Sequence, residues 1–184
     1  MFIHKVRVVG NSGSGKTTYA CELARRLGVH HIELDEVFWD TDWQQADDAT
    51  VTRRLSALLT GPAATGWVAC GNWNDRLAQI AGPLDDADVI VWLDYSRWVI
   101  MRRVIGRTLR RAVTGRPIWH GNRERLSNLF KWNPQDNIIR WSWTEHTNYR
   151  RRYSALRASD PRVIRLTSPR QAARWLRSAA AKPH

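Results

Sequence analysis

The stretch from Gly10 to Thr17, Gly-Asn-Ser-Gly-Ser-Gly-Lys-Thr, has the residue types and the spacing of a phosphate-binding loop. It fits the pattern G-x-x-x-x-G-K-[ST], in which backbone N–H groups surround phosphate oxygens. In that pattern Lys16 reaches the β- and γ-phosphates, and the Thr17 hydroxyl holds Mg²⁺. The sequence therefore predicts a nucleoside triphosphate site whose binding residues are Gly10, Asn11, Ser12, Gly13, Ser14, Gly15, Lys16, Thr17 and Thr18.

The segments on either side of this loop predict a strand before it and a helix after it. Residues 5–9 alternate in character and are rich in valine, as strands are. Apolar residues at positions 20, 23, 24 and 27 repeat with the spacing of one helix face, and Gly28 follows where a helix end is expected. The loop would then hold an anion at a helix N-terminus, where unpaired N–H groups and the helix dipole favour negative charge.

The rest of the chain alternates between strand-like and helix-like segments. Strands are predicted at 31–35, 67–70, 88–94 and 162–166, and helices at 46–60, 97–112, 135–158 and 169–180. This alternation predicts a three-layer α/β/α fold with a five-stranded parallel sheet, which binds its ligands at the carboxyl ends of the strands. We expect a single domain over residues 1–184, with an arginine-rich lid insertion at about 112–135.

Two aspartates follow predicted strands at the edge of the sheet where the phosphate loop lies. Asp35 ends the second strand, where a carboxylate can orient or deprotonate an acceptor hydroxyl, or bind Mg²⁺ through water. Asp94 ends the apolar fourth strand, a position that often supplies a second contact to Mg²⁺. Both have a structural alternative, Asp35 as a loop-starting or capping residue and Asp94, like Ser96, as a candidate N-cap of the next helix.

The helix predicted at 97–112 carries arginines mostly outside its buried stripe. Arg103 and Arg107 are four residues apart, which makes them neighbours on one helix face. Phosphoryl transfer depends on positioning and charge neutralisation, so these side chains are candidates to close over the transferred phosphate. We interpret them as catalytic candidates with Lys16 and Asp35; the alternative is a basic helix face exposed to solvent.

The chain contains 11 tryptophans, and several of them fall in loops or polar segments rather than in strands. We expect most of these rings to fill space beneath loops, because a large ring buries much surface. Trp39 and Trp73 follow strand ends on the ligand side of the sheet, so we interpret these two as candidate substrate contacts.

Length and composition are those of an ordinary globular protein, with 184 residues, 43% hydrophobic and 25% charged. No apolar run is long enough to cross a membrane, and the N-terminus does not have the pattern of a signal segment. The chain has 2 cysteines, which do not suggest a disulfide framework. We therefore expect a cytoplasmic protein without a membrane partner.

Charge is distributed unevenly along the chain. Residues 1–96 contain 8 basic and 13 acidic side chains, a net charge of −5, whereas residues 97–184 contain 21 basic and 4 acidic side chains, a net charge of +17. Such asymmetry indicates a polyanionic partner for the C-terminal half. Nucleotide phosphates and nucleic acid both satisfy this requirement.

Together these segments resemble the nucleoside-monophosphate-kinase-like branch of the phosphate-loop proteins, and most closely the small bacterial topology modulation and adenylate kinase-related proteins. The resemblance implies ATP and Mg²⁺ binding and phosphoryl transfer to a small acceptor through a closing lid. It also implies that Arg103 and Arg107 contact ATP phosphates, with Arg140 or one of residues 150–152 completing the clamp. The matching segments are residues 10–18, 31–35 with Phe38, Trp39 and Trp43, residues 71–73, 92–94 and 103–107.

One position departs from this resemblance. Adenylate kinases carry an aspartate before the glycine of the third-strand motif, where this chain has Cys70. That aspartate usually helps to hold Mg²⁺ through water, so Asp35 or Asp94 is left to supply the contact. We expect Cys70 to be a buried, unreactive thiol, and the sequence does not support AMP as the acceptor.

Three hypotheses follow from the sequence. The first is an ATP-dependent, Mg²⁺-dependent kinase of a nucleotide or another small molecule, its acceptor unidentified. The second is a nucleic-acid-associated phosphate-loop ATPase in which the basic half holds a polyanion. The third is a nucleotide-binding regulator with little turnover. The arrangement of site residues favours the kinase.

Overall fold

A computed structural model describes residues 3–80, 84–115, 117–123 and 137–180 of the chain. Five parallel strands form one sheet in the order β2-β3-β1-β4-β5. The central position of β1 brings the loop that follows it to the middle of the carboxyl edge. The strands are β1 (Lys5–Gly10), β2 (His30–Glu33), β3 (Trp67–Cys70), β4 (Val89–Leu93) and β5 (Val163–Leu166).

Helices cover both faces of this sheet, which confirms the predicted three-layer fold. The described helices are α1 (Lys16–Leu27), α2 (Leu34–Phe38), α3 (Asp48–Thr60), α4 (Asn74–Gln79), α5 (Arg97–Thr114), α6 (Ile138–Ser159) and α7 (Pro169–Ala180). Short 3₁₀ turns lie at Thr41–Trp43 and Trp119–Gly121. None of the described helices is long and apolar enough to cross a membrane.

Two apolar cores hold the layers together, one on each face of the sheet. Leu23 of α1 and Val104 of α5 pack with sheet residues such as Val8 in one core. Phe38 of α2 and Leu55 of α3 pack in the other, where the buried Tyr153 of α6 joins them. Strands that are buried on both faces read as continuous apolar runs, which is why β3 and β4 are readily predicted.

The structure differs from the sequence prediction at two places along the ligand edge. β2 ends at Glu33, and Asp35 lies in the first turn of α2 instead of at the end of the strand. Helix α4 begins at Asn74, where the sequence pattern predicts no helix. Of the lid insertion at about 112–135, residues 112–115 end α5 and residues 117–123 are described; residue 116 and residues 124–135 lie outside the described residues.

Candidate active site

The phosphate loop leaves β1 at Gly10 and enters α1 at Lys16. Gly13 and Gly15 have φ values of 84° and 90°, a left-handed conformation that glycine adopts without the strain a side chain would bring. The first N–H groups of any α-helix lack acceptors within the helix, and no side chain caps the N-terminus of α1. These amides are therefore available to an anion, which is the arrangement that the motif predicts.

Lys16 lies across this loop. Its Nζ donates to the carbonyl oxygens of Gly10, at 2.8 Å, and Asn11, at 3.2 Å. Burial lowers the pKa of Lys16, and the nearby carboxylate of Asp35 offsets part of that effect. Beside the lysine, the buried hydroxyl of Ser14 has no hydrogen-bond partner among the described residues. A partly buried ammonium group, an unpaired hydroxyl and an uncapped helix end together fit a phosphate chain.

The close packing of Gly13 against α5 gives a direct test of the loop geometry. A Cβ at Gly13 would lie 2.2 Å from Cγ2 of Val104, in addition to the backbone strain at this φ. We expect Gly13→Ala to lower the free energy of unfolding in urea by about 1–3 kcal/mol and to weaken ATP binding.

Gly106 provides the matched control on α5 itself. A Cβ at Gly106 would meet no atom within 4 Å. Gly106→Ala should raise the free energy of unfolding by about 0.5–1 kcal/mol, because alanine loses less conformational freedom in a helix than glycine does. Equal stability of the two variants would contradict the packing of α5 on the loop.

The Thr17 hydroxyl, the predicted Mg²⁺ ligand, donates to Oε1 of Glu33 at 2.9 Å. Glu33 ends β2 and is half-buried at the cleft, and no sequence pattern singles it out. Mg²⁺ in phosphotransferases is bound by one or two protein oxygens together with phosphate oxygens and water. A hydroxyl beside a carboxylate at the end of the phosphate loop fits that requirement.

Asp94, the other predicted metal ligand, is bound by two arginines. Arg165 donates to Oδ2 through Nε, at 2.8 Å, and Nη2, at 2.5 Å. Nε of Arg150 lies 3.0 Å from Oδ1 of this almost fully buried carboxylate. The structure therefore brings Asp94 together with β5 and α6, and it places Glu33 next to Thr17.

Asp35 faces the same cleft as the phosphate loop. Its Oδ1 accepts a hydrogen bond of 2.8 Å from the indole N–H of Trp73. Burial raises the pKa of Asp35, while the positive charge of Lys16 and the bond from Trp73 partly oppose the rise. A carboxylate with a raised pKa and a fixed orientation is suited to accept a proton from a hydroxyl group.

The two predicted lid arginines both reach the phosphate loop from α5. Nη1 of Arg103 donates to the carbonyl oxygen of Ser14 at 2.9 Å. Nη2 of Arg107 lies 3.4 Å from Oγ of Ser12. The structure thus brings these guanidinium groups to the loop where a phosphate chain would lie. Their role in catalysis stays a prediction.

The arginines that the resemblance placed in a clamp lie at different sites. Arg150 is bound to Asp94, and Arg152 is paired with Asp75. Arg151 lines the cleft. Arg140 stands in the first turn of α6, where the Asn137 side chain caps its backbone N–H.

Trp39 and Trp73, the predicted substrate contacts, line the cleft beside Asp35. Their rings meet edge to face, with centroids 5.5 Å apart. The ring centroid of Trp43 lies 5.8 Å from that of Trp39 and 6.2 Å from that of Trp119. We call these four tryptophan rings the aromatic wall. The backbone N–H of Trp43 donates to Oδ1 of Asn122 at 2.9 Å, which fixes residues 117–123 against this wall.

Two residues that position the loop have no role in the sequence prediction. Asn72 binds both backbone groups of Gly10, donating to the carbonyl oxygen at 2.8 Å and accepting from the N–H at 3.3 Å. Ser142 of α6 donates to the carbonyl oxygen of Ser12 at 2.9 Å and accepts from Asn11 at 2.7 Å. The position of Asn72 after β3 is a usable signal, whereas Ser142 lies about 130 residues away from the loop in sequence.

Cys70 is buried, as predicted. Burial raises the pKa of its thiol to about 12. Its Sγ lies 3.4 Å from Nε2 of His31 and 3.9 Å from Oγ1 of Thr17. A thiol with such a high pKa stays protonated and is a poor nucleophile at neutral pH.

Comparison with solved structures identifies the class of fold. The chain is similar to a shikimate kinase from Acinetobacter baumannii in complex with shikimate, with a TM-score of 0.56 and 16% sequence identity over 96% of this chain and 90% of that one. It is also similar to a gluconokinase from Sinorhizobium meliloti 1021, with a TM-score of 0.50 and 17% identity over 98% of this chain and 91% of that one.

These similarities show that the chain shares the fold of these two proteins, a five-stranded parallel sheet with flanking helices. No protein-family model and no curated protein sequence matches the chain. The narrower resemblance to the topology modulation proteins therefore stays a prediction.

Proposed function

We propose that this protein is a phosphotransferase that moves the γ-phosphoryl group of ATP to a hydroxyl group of a small acceptor. The observation that carries the proposal is the position of Asp35, a half-buried carboxylate that shares one cleft with Lys16, Thr17 and the phosphate loop. A phosphate loop alone would bind a nucleotide. The Asp35 carboxylate beside it is held by a hydrogen bond from Trp73, and burial raises its pKa. It therefore adds a group that can take a proton from an acceptor.

The residues divide into three roles. The amides at the start of α1 and the Lys16 ammonium group bind the β- and γ-phosphates. Arg103 and Arg107 neutralise the charge that develops on the transferred group. Asp35 orients the acceptor hydroxyl and takes its proton. As the acceptor oxygen forms its bond to the γ-phosphorus, the bond between that phosphorus and the β–γ bridging oxygen breaks, which releases ADP.

Thr17 would hold Mg²⁺ together with Glu33 and, through water, Asp35. When bound, Mg²⁺ would neutralise part of the charge of the phosphates. We assign Asp94 a structural role instead of the metal role that its sequence position predicts, because its two oxygens are bound by arginines. Asp94, which follows β4, links the end of that strand to β5 and α6.

The two similar structures support a small-molecule kinase. One is a shikimate kinase bound to shikimate and the other a gluconokinase. An identity of 16–17% does not extend either acceptor to this chain. A cytoplasmic location fits such an enzyme and is part of the proposal.

The structure gives less support to the nucleic-acid hypothesis than to the small-molecule kinase. Arginines of α6, of β5 and of the turn between them form ion pairs within the fold, with Asp75, Asp94 or Asp160. Those charges help to hold α6 and β5 in place. We therefore favour the small-molecule kinase.

The experiment that tests the proposal is ADP formation from ATP and Mg²⁺ across a panel of nucleosides, nucleotides, sugars, sugar acids and amino alcohols. We expect at least one acceptor to raise the rate well above that of hydrolysis in buffer. A slow rate that no acceptor changes, but that DNA or RNA raises, would contradict the proposal and favour a nucleic-acid-associated ATPase.

A further inference from the structure

We propose, on the basis of the proposed function, that the phosphate acceptor is an alcohol without negative charge, with an apolar or aromatic face that packs against Trp39 and Trp73. Sugars, polyols, nucleosides and amino alcohols belong to this class. Sugar acids and nucleoside monophosphates do not. Two features carry this assignment, the aromatic wall beside Asp35 and the distribution of charge along the cleft.

The aromatic wall is rigid and lies next to the proposed base. Trp73 stacks on the fully buried Phe38 with ring centroids 4.5 Å apart and an angle of 3° between the rings. Its N–H is bound to Asp35, so the indole cannot turn without breaking that bond. An acceptor whose hydroxyl reaches Asp35 must therefore lie against the Trp73 ring. Such a surface favours sugar C–H faces and flat rings over charged groups.

Two arginines near this wall are already bound to other groups. Arg54 donates to the carbonyl oxygens of Val37, at 2.9 Å, and Trp39, at 3.2 Å, and it pairs with Asp40. Arg76 donates to the carbonyl oxygen of Ala46 at 2.9 Å and pairs with Asp48. An acidic acceptor would have to break these bonds to recruit either guanidinium group.

The cleft beyond the phosphate loop also carries several carboxylates. Like charges repel, so the carboxylate of Asp35, which lies next to the acceptor hydroxyl, selects against an anionic acceptor. The acidic residues that line the cleft are Glu22, Glu33, Asp35, Asp42, Asp75 and Glu145, of which Asp75 is paired with Arg152.

The arginines that line the cleft fall into two groups, those that reach the phosphate loop and those that lie away from it. Arg103 and Arg107 reach the phosphate loop. Arg152 is paired with Asp75, with bonds of 2.8 and 2.5 Å. An acidic acceptor would therefore have to bind through the other arginines that line the cleft, which are Arg111, Arg123 and Arg151.

Matched pairs of acceptors test this inference. Sorbitol against gluconate and methyl shikimate against shikimate each keep the hydroxyl groups that are compared and differ in negative charge. We expect kcat/KM for ADP formation to favour the uncharged member by at least about tenfold in any pair that is used.

Two variants test the stacking surface. Trp39→Leu should raise the KM for the acceptor about tenfold, because the acceptor loses a ring against which it packs, and should leave the KM for ATP unchanged. Trp98→Leu is the control, because Trp98 is 78% exposed on α5 and does not line the cleft. Trp39→Phe keeps an aromatic face and should restore most of the affinity, provided that all three variants show wild-type melting behaviour.

The outcomes separate this inference from the proposed function. If no acceptor of these pairs or of the wider panel raises ADP formation, both proposals are wrong. If acceptors are used but the charged member is preferred, and alanine at Arg111, Arg123 or Arg151 removes that preference, the kinase proposal stands and the acceptor class is wrong.

Discussion

Replacing Lys16 with alanine is expected to lower kcat for acceptor-dependent ADP formation by at least about 100-fold, the usual cost of removing one group that stabilises transition-state charge. The Lys16 ammonium group donates to the loop carbonyl oxygens of Gly10 and Asn11, and burial lowers its pKa. A phosphate chain would supply the negative charge that favours this cation. The variant should therefore also lose most of the rise in melting temperature that ATP produces in the wild type.

Lys5→Ala is the matched control for this change. Lys5 begins β1 and pairs with Asp86 at the surface, away from the cleft. Surface pairs of this kind contribute about 0–1 kcal/mol, so the control should keep its activity and its response to ATP. Full activity of Lys16→Ala would show that this lysine does not act on the transferred phosphate.

Replacing Asp35 with asparagine is expected to lower kcat by about 100-fold or more, the contribution typical of a general base, with little change in the KM for ATP. Asparagine retains an oxygen that can accept the bond from Trp73, so the aromatic wall should keep its position. In the wild type, kcat/KM should fall as pH decreases through the pKa of Asp35, which burial holds above its ordinary value.

The same substitution should raise stability at neutral pH. Because the pKa of Asp35 is higher in the folded protein than in the unfolded chain, the ionised carboxylate destabilises the folded state above that pKa. Asp35→Asn removes this cost, so its melting temperature should exceed that of the wild type near pH 7. The difference should shrink as pH falls and vanish below the unfolded pKa, where both states of the wild type are protonated. Asp86→Asn, on the surface, should show neither effect.

Much of this site can be predicted from short stretches of sequence. The phosphate loop, its strand and its helix are encoded within residues 5–28, and the spacing of Arg103 and Arg107 reports their shared helix face. Local patterns of this kind determine the backbone structure by themselves, because the conformational freedom of glycine and the period of a helix depend on only a few neighbouring residues. The order of the strands has no such local signal, since β1 pairs with β3 and β4, which come much later in the chain.

The rest depends on contacts between distant segments. Asp94 has the sequence pattern of a metal ligand, yet its partners Arg150 and Arg165 come from elements 56 and 71 residues further along the chain. Asp35 follows a strand-like pattern, but the chain turns into α2 after Glu33 and so presents Glu33 to Thr17. Short polar segments give no local signal for such pairings, which are decided by how the layers pack.

The fate of the γ-phosphate is the decisive measurement for a phosphotransferase. The protein would be incubated with γ-labelled ATP, Mg²⁺ and the preferred acceptor, and the label would be followed into products. We expect a labelled phosphate ester of the acceptor, formed at wild-type rates with Lys5→Ala and Asp86→Asn and far more slowly with Lys16→Ala and Asp35→Asn. Label found only as inorganic phosphate, at a rate indifferent to every acceptor, would contradict phosphoryl transfer to a small molecule.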